Sequence, residues 1–599
     1  MAKGFDTLHI KSAIKNRNKF DLSRTHLTTM NFGQIVPLFV EETVPGDKFN
    51  VSASYFSRMA PLVKPTYGKI QFKTMTAFVP YHQVADDADA WINGQITWES
   101  NTTYQRSFTK SVLAEFIVKQ CTDSAVTING ATVTASSANT DVTYVNSGGT
   151  TTYALFTEQG KYWVKVLNAL GYAIPFGIDF RSNALTTSWI DGATKLSAYP
   201  LLAFFKAYND YMSQSQRYNI SPLTQLLRTI KHMTGSGTLT YANISTLFLY
   251  LKLNYENDYF ISAWQNPNAA LDSAGATGIS TISAPYNSSA GDSIISDVSN
   301  TRIQSAGSAG YSSNLSQRTL DFLRSFDSWV RRNNYSGSRA VQQIYSRFGI
   351  KTDDYRTNYA HVLDTDTIPV QVGDVTATAQ DFVGAGSGNN VQIGDYAGKG
   401  IVNGDKHFEF SADDYGLLMV LGWYTVTPMN AYGFDRRVLR NSPMDYYTPE
   451  FDGLGAEAIS YGELFVNPTV ARNASSKYDN TVYGFTERYN SYRYGRDVIT
   501  GEFRDFKADG DMNVWHTGRL LTDVRENGQM TAQSSAMNTI ESEGNQYNRI
   551  FSETDTYDDK FYMTAQFGVS AIRPMLNLNQ VVQLGEGDTA VPRNGNTIS

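Results

Sequence analysis

The sequence predicts a mainly β protein: an antiparallel jelly roll whose strands are joined by long insertion loops containing several helices. Three observations predict it. Apolar residues alternate with period two near both ends of the chain, one apolar run in the middle suits a strand buried on both faces, and some hundreds of residues separate these segments. Strands so far apart can share a sheet only if the connections between them are long. A double-sheet jelly roll accepts elaborate loops at both ends of its sandwich. A β-propeller would need a repeat every forty to fifty residues or so, and no such period is present.

The amino-terminal ninety residues alternate strand and turn. Asn18-Lys19-Phe20-Asp21-Leu22-Ser23 leads into Phe32-Gly33-Gln34-Ile35-Val36-Pro37, then Glu41-Glu42-Thr43-Val44-Pro45-Gly46-Asp47, Arg58-Met59-Ala60-Pro61-Leu62 and Phe78-Val79-Pro80, with proline and glycine at the corners. Phe49, Val51, Ala53 and Tyr55 form one row, and Ile70, Phe72, Thr74, Thr76 and Phe78 another. Near the far end Phe561, Met563, Ala565, Phe567 and Val569 alternate with Tyr562, Thr564, Gln566, Gly568 and Ser570. All three read as half-buried antiparallel strands. The longest apolar run, Gly416 to Val426, is too short to span a bilayer and reads as a strand buried on both faces.

Helical spacing appears between them. Leu201, Leu202, Phe204, Phe205, Tyr208 and Met212 place a helix within Leu196 to Arg217, and Leu320, Leu323, Phe326, Trp329 and Val330 place a second. Two stretches rich in small residues, about 122–152 and 266–317, contain β-branched residues such as Val126-Thr127-Ile128 and Ile279-Ser280-Thr281-Ile282. They read as exposed loops or small β-rich protrusions, with linker as the alternative.

Charged residues make up only 18% of the 599, while Tyr (37) and Phe (32) abound, which suits large protein contacts as well as an aromatic β core. The net charge of −7 argues against nucleic-acid affinity spread over the whole surface. Cys121 is the only cysteine, so an intrachain disulfide and a cysteine-built metal site are excluded, and the residue reads as an inert thiol in a reducing compartment. The start, Met1-Ala2-Lys3-Gly4-Phe5-Asp6, carries no apolar leader core, so no export is expected.

Catalytic and metal signals are weak throughout. The seven histidines show no His-x-x-x-His spacing, and neither a phosphate-binding Gly-x-x-x-x-Gly-Lys loop nor a Gly-x-Ser-x-Gly elbow occurs. Acidic clusters at Asp86-Asp87-Ala88-Asp89, Asp364-Thr365-Asp366 and Asp509-Gly510-Asp511 read as solvated loops and caps rather than as paired catalytic carboxylates or calcium loops. No catalytic residue, cofactor or metal is expected.

The amino-terminal blocks resemble, in order and wording, the major capsid protein family of microviruses. Further blocks carry the resemblance along the chain: Ser197-Ala198-Tyr199-Pro200-Leu201-Leu202-Ala203 with Tyr208-Asn209-Asp210-Tyr211, Asp258-Tyr259-Phe260-Ile261-Ser262-Ala263-Trp264-Gln265, Gly337-Ser338-Arg339, Asp445-Tyr446-Tyr447, Gly484 to Tyr489, Trp515-His516, Tyr547-Asn548-Arg549-Ile550-Phe551 and Ile572-Arg573-Pro574-Met575. Gln214 to Gln216 depart from the family's usual Arg-Asp-Gln. The resemblance is to the gokushovirus-like branch. It implies an eight-stranded viral capsid sandwich, a T=1 icosahedral shell of identical subunits around circular single-stranded DNA, and residence in a virion assembled in the host bacterial cytoplasm. It implies as partners the chain itself, the genome, a small basic packaging protein, a minor pilot protein and a host surface receptor, with no membrane insertion. By position, 266–317 would be the branch's three-fold protrusion. The domain reading is a basic arm over 1–30 and one jelly-roll domain over 31–599 that includes both insertions.

Two stretches are candidate contact sites. Lys3, Lys11, Lys15, Arg17, Lys19 and Arg24 crowd the amino terminus and suit DNA phosphates or a neighbouring subunit. Arg488, Tyr489, Tyr492, Arg493, Tyr494 and Arg496, with Arg504 beyond them, suit a subunit interface, with stacking on unpaired bases as the alternative. Two other function classes remain: an exported glycan-binding or glycan-cleaving β-protein, and a trimeric phage spike.

Overall fold

In the computed structural model, two antiparallel sheets face each other across a core rich in aromatic rings. The structure describes residues 17–86, 88–92, 106–128, 130–136, 142–147, 150–174, 179–180, 194–212, 222–233, 237–253, 258–260, 262–263, 359–376, 396–427, 429, 433–452, 456–464, 482–503, 511–518, 547–555 and 557–575, with single positions at 325, 328, 346 and 349. The principal strands are β1 (Asn18–Asp21), β2 (Arg24–Met30), β3 (Ile35–Thr43), β4 (Lys48–Met59), β5 (Ile70–Pro80), β6 (His361–Pro369), β7 (Gln371–Thr376), β8 (Tyr396–Ser411), β9 (Gly416–Val426) and β10 (Phe561–Arg573). One sheet runs β1–β10–β4–β8–β7, with β2 also on β10, and the other runs β6–β5–β9–β3.

The pairings are nested. β2 pairs with β10, β3 with β9, β4 with β8 and β5 with β6, all antiparallel. Four nested pairs folded over into two facing sheets are the winding of a jelly roll, and β1 and β7 extend it at its margins. The two halves interlock through rings that cross between the sheets. Phe39 meets Phe567 at 5.0 Å, Tyr55 meets Phe72 at 5.5 Å, Phe78 meets Phe410 at 4.9 Å, and Tyr424 stacks on Phe561 at 3.8 Å.

The alternation read from sequence holds in β4 and β10, whose inward rows are buried and whose outward rows are exposed or half-buried. β9 has the bounds expected and is buried on both sides almost throughout. β5 departs from the expectation: it alternates only at its start, and from Thr74 onward both faces are buried. The reason is a helical layer on the outer face of its sheet. It contains α1 (Lys110–Phe116), α2 (Glu158–Ala169), α3 (Tyr199–Tyr211), α4 (Pro222–Lys231) and α5 (Tyr241–Leu249), all inserted between β5 and β6. α3 lies against β5 and β9, and Tyr199 meets Tyr81 at 4.6 Å. Phe116, Trp163, Phe205 and Phe248 pack as one aromatic knot joining four of these helices.

α3 is shorter than the helix read within Leu196 to Arg217. Leu196 lies instead in a short strand, Lys195–Ser197, paired with Ser107–Thr109, and Pro200 in the first turn suits a helix start because its missing N–H is needed by no partner there. Residues 213–217, the second expected helix apart from helical Ser325 and Ser328, and the 266–317 insertion lie outside the described residues. Within 122–152 the structure shows hairpins: Ala125–Ile128 with Ala131–Thr134, and Val142–Ser147 with Thr150–Phe156.

The corner between β3 and β4 illustrates local necessity. Asp47 N–H donates to the Val44 carbonyl at 3.0 Å, Pro45 sets the second position, and Gly46 takes φ +92°, which a side chain would strain. Phe567 sits where the two halves lock, so Phe567→Ala is expected to cost about 3–5 kcal/mol, read as a lowered urea midpoint for the purified chain.

Candidate assembly surfaces

The amino-terminal cations divide once they are placed. Lys3, Lys11 and Lys15 lie outside the described residues. Residues 18–30 are woven into the sheet as β1 and β2. Lys19 is exposed on β1, and exposed Arg17 reaches over the β3–β4 corner at Gly46. Arg24 is committed internally: it pairs with Glu41 at 3.0 Å and lies 4.1 Å over the Phe39 ring. Arg573, from the end of β10, also binds Glu41 at 3.0 Å and approaches buried Asp47 at 3.4 Å. Burial pushes the Asp47 carboxyl above its usual range, against the opposing pull of the Val44 N–H and of Arg573. This cluster ties both ends of the described chain to one corner.

The Arg/Tyr stretch folds into a small satellite with its own core. Tyr259, Phe260, Ala263, Ile459, Leu464 and Tyr483 form that core, so the Asp258-Tyr259-Phe260 block packs against Tyr483, at the start of the strand that carries the Gly484 to Tyr489 block. A two-stranded sheet, Ala456–Ser460 with Val482–Glu487, carries it. Its electrostatic centre is Arg436, which pairs with Glu457 and, at 2.7 Å, with Glu463, and donates to the Ala458 carbonyl at 3.0 Å. Glu463 also accepts from the Ser460 N–H at 3.1 Å, and Tyr489, in the left-handed region at φ +64°, donates its N–H to Glu457 at 2.8 Å. Tyr494 stacks on Tyr259 at 5.0 Å, and burial pushes its hydroxyl up to about 12.

Several of the expected interface residues are thus internal supports. Tyr489 is buried, Arg488 lies over the Phe451 and Tyr489 rings, and Arg496 donates to the Gly433 carbonyl at 2.7 Å. Tyr492 and Arg493 remain about half exposed, although Arg493 also reaches Asp452 at 3.0 Å and Glu487 at 3.3 Å. Tyr446 and Tyr447 stand beside them on the surface. The sequence reading missed Arg436, Arg437 and Arg440, although their run from Asp435 was a visible signal. Arg504 lies outside the described residues.

The remaining polar candidates have structural partners. His516 is buried; its Nε2 donates to the Phe503 carbonyl at 3.0 Å and its Nδ1 accepts from the Gly518 N–H at 3.0 Å. Arg549 donates to the His516 and Gly518 carbonyls, which joins the Trp515-His516 and Tyr547 to Phe551 blocks. Asp86 pairs with His232 and Lys231, and Asp364 with Lys406. Cys121 is buried, and desolvation pushes its thiol far above the usual range. Among the described residues no group of three or more His, Cys, Asp or Glu is placed to hold a metal ion, and no helix is long and apolar enough to cross a membrane.

Comparison with known proteins adds what geometry alone does not. The family model described as "Capsid protein (F protein)" matches residues 8–135 and 183–582. The chain belongs to that capsid protein family. Among its relatives, the protein named capsid protein VP1 of Chlamydia phage 1 is 24% identical over 568 residues, covering 86% of this chain and 89% of the relative. Capsid protein VP1 of Bdellovibrio phage phiMH2K is 24% identical over 520 residues, covering 86% of this chain and 87% of the relative.

The capsid family match skips residues 136–182, yet part of that segment is built into the sandwich. α2 lies along β3, the edge strand of its sheet. The Tyr162 hydroxyl accepts from the Ile35 N–H at 2.9 Å and donates to the Ile35 carbonyl at 3.2 Å, so one phenol satisfies both open backbone groups of an edge residue. Lys165 holds the helix down through Asp559 at 2.7 Å and Gln34 at 2.9 Å. Between α2 and the outer face of β2, β4 and β10 runs a cleft of about 780 Å³ lined by Leu27, Phe56 and Tyr562.

The satellite depends on one cation. Arg436→Met is expected to cost about 3–5 kcal/mol, because it leaves the buried Glu463 carboxylate without its counter-charge. Limited proteolysis should then cut residues 433–503 while the sandwich core resists.

Proposed function

We propose that this chain is the major subunit of a small T=1 icosahedral shell that encloses a circular single-stranded DNA phage genome. The observation that carries the reading is the capsid family match over residues 8–135 and 183–582. The architecture supports it: a sandwich of two facing sheets whose edge strand β3 is bonded at Ile35 by Tyr162 and at Leu38 and Val40 by His26 and Arg24 limits open backbone at that edge. The work done is burial, repeated identically at every symmetry-related contact, with no catalytic step.

In this reading the exposed Tyr492, Arg493, Tyr446 and Tyr447 serve subunit contacts, since Tyr and Arg anchor interfaces. Lys3, Lys11, Lys15, Arg17 and Lys19 meet genome phosphates on the inner side, which lets a chain of net charge −7 confine its basic groups to one place. Small basic packaging and minor pilot proteins complete the particle, residues 266–317 project toward a host receptor, and assembly takes place in the bacterial cytoplasm.

Electron microscopy of the expressed chain should show uniform isometric shells. A chain that stays monomeric at high concentration and yields no particle contradicts the reading. Neutralising Lys11, Lys15, Arg17 and Lys19 together should leave shells that form but carry less DNA; unchanged DNA content would remove the arm's role.

A further inference from the structure

On the satellite, a pocket of about 360 Å³ is lined by four arginines, Arg436, Arg437, Arg440 and Arg496, against two carboxylates, Asp435 and Glu463. Arg436 is held by Glu463 and Glu457, and Arg437 by Asp435 at 2.7 Å. Arg440 meets only neutral groups in the described structure: the Ser491 hydroxyl at 3.3 Å, and the rings of Tyr492 at 4.0 Å and Tyr446 at 5.9 Å. The pocket therefore carries excess positive charge, with one guanidinium pre-oriented by stacking. Arg437 is 77% exposed at its mouth, beside the exposed apolar Val438. Charge of this kind, with aromatic walls, selects an anion, and a planar carboxylate matches the guanidinium fork.

The same chain carries a matching anion. Glu553, Asp555, Asp558 and Asp559 fall within seven residues before β10. Lys560, next in sequence, is buried and lies within electrostatic reach of all four, and Asp559 is also paired with Lys165, so four carboxylates face two ammonium groups and the run keeps a net negative charge. Glu553 and Asp558 stay exposed. The acidic run and the arginine pocket leave the sandwich at the same end. β10 begins there opposite the end of β4, and β9 finishes there opposite the start of β5, just before the satellite. Ser552 N–H donates to the Pro61 carbonyl at 2.9 Å, and Met429 bridges to Gly518, which keeps both segments at that end.

We propose that the arginine pocket is a carboxylate socket at a subunit contact, and that its ligand is the Glu553–Asp559 run of a second copy of this chain. The inference rests on the shell-building reading and names the contact that would serve it. Socket and ligand are different patches, so the contact is head-to-tail, and such a contact builds a ring about a symmetry axis when its rotation closes. A negatively charged chain gains most from joining its few basic pockets to its own acidic runs, because like charges facing each other cost several kcal/mol.

Charge exchange tests it. Arg437→Glu with Arg440→Glu, and separately Glu553→Lys with Asp558→Lys, should each cut the yield of assembled particles at least about tenfold, and the four changes together should restore it. Particle yield is read by sedimentation and microscopy, with circular dichroism confirming a folded subunit. Independently, Val438→Cys with Asp558→Cys should give disulfide-linked oligomers on oxidation of assembled particles, because Cys121 is buried. Wild-type yields from either pair, a folded fourfold variant that stays unassembled, or cysteine variants that remain monomeric under oxidation would each overturn the proposal. Arg437→Glu/Arg440→Glu particles that form normally but lack DNA would overturn it in favour of the genome as ligand. A wild-type chain that forms no particle would instead overturn the shell reading itself, and this contact with it.

Discussion

The sandwich depends on one constraint: aromatic rows from opposite ends of a 599-residue chain must interdigitate before either sheet has a dry face. β10, near the carboxyl end, lies centrally in its sheet, with β4 on one side and β1 and β2 on the other. Its Phe561 and Phe567 supply half of two ring contacts that cross the core. The closing strand therefore arrives last in synthesis and pairs with the earliest. Such long-range pairing makes folding slow and leaves strand edges open in the interim.

That delay gives the insertions a structural role beyond length. The helices between β5 and β6 cover the outer face of one sheet, which is why β9 can be apolar on both sides. On the β3 edge, α2 caps Ile35 with a single phenol, in a segment that the capsid family model skips, while His26 and Arg24 of β2 bond the Leu38 and Val40 carbonyls. A segment outside the family match thus answers a general hazard of β-sandwiches.

The satellite shows how arginine and tyrosine serve two purposes at once. Arg436 and Tyr489 organise the interior through Glu457 and Glu463, while Arg440, Tyr492 and Tyr447 remain at the surface. Burial of paired charges defines geometry more than it adds stability. What that geometry supplies is a rigid cationic recess, pre-organised before any partner arrives.

The period-two rows at Phe49 to Tyr55 and Phe561 to Val569, and the run from Gly416 to Val426, made the strands legible from sequence, because side-chain alternation is a local property. The proline and glycine of the Val44 to Asp47 corner were legible for the same reason. Nested pairing was not, since nothing local says which distant strand Phe567 will face. Nor was the second burial of β5, which depends on helices placed elsewhere in the chain. Residues 484–496 announced a contact-forming composition, but the sequence alone could not separate Tyr489, turned inward, from Tyr492, turned outward. Sequence by itself determined the strands near the two ends and at Gly416 to Val426, and the residue types that crowd 484–496, but it gave no sign of β6, β7 or β8. Tertiary structure alone decided which strands pair, which edge is capped and which cations keep free charge, because burial and counter-charges come from residues that meet only in the folded chain.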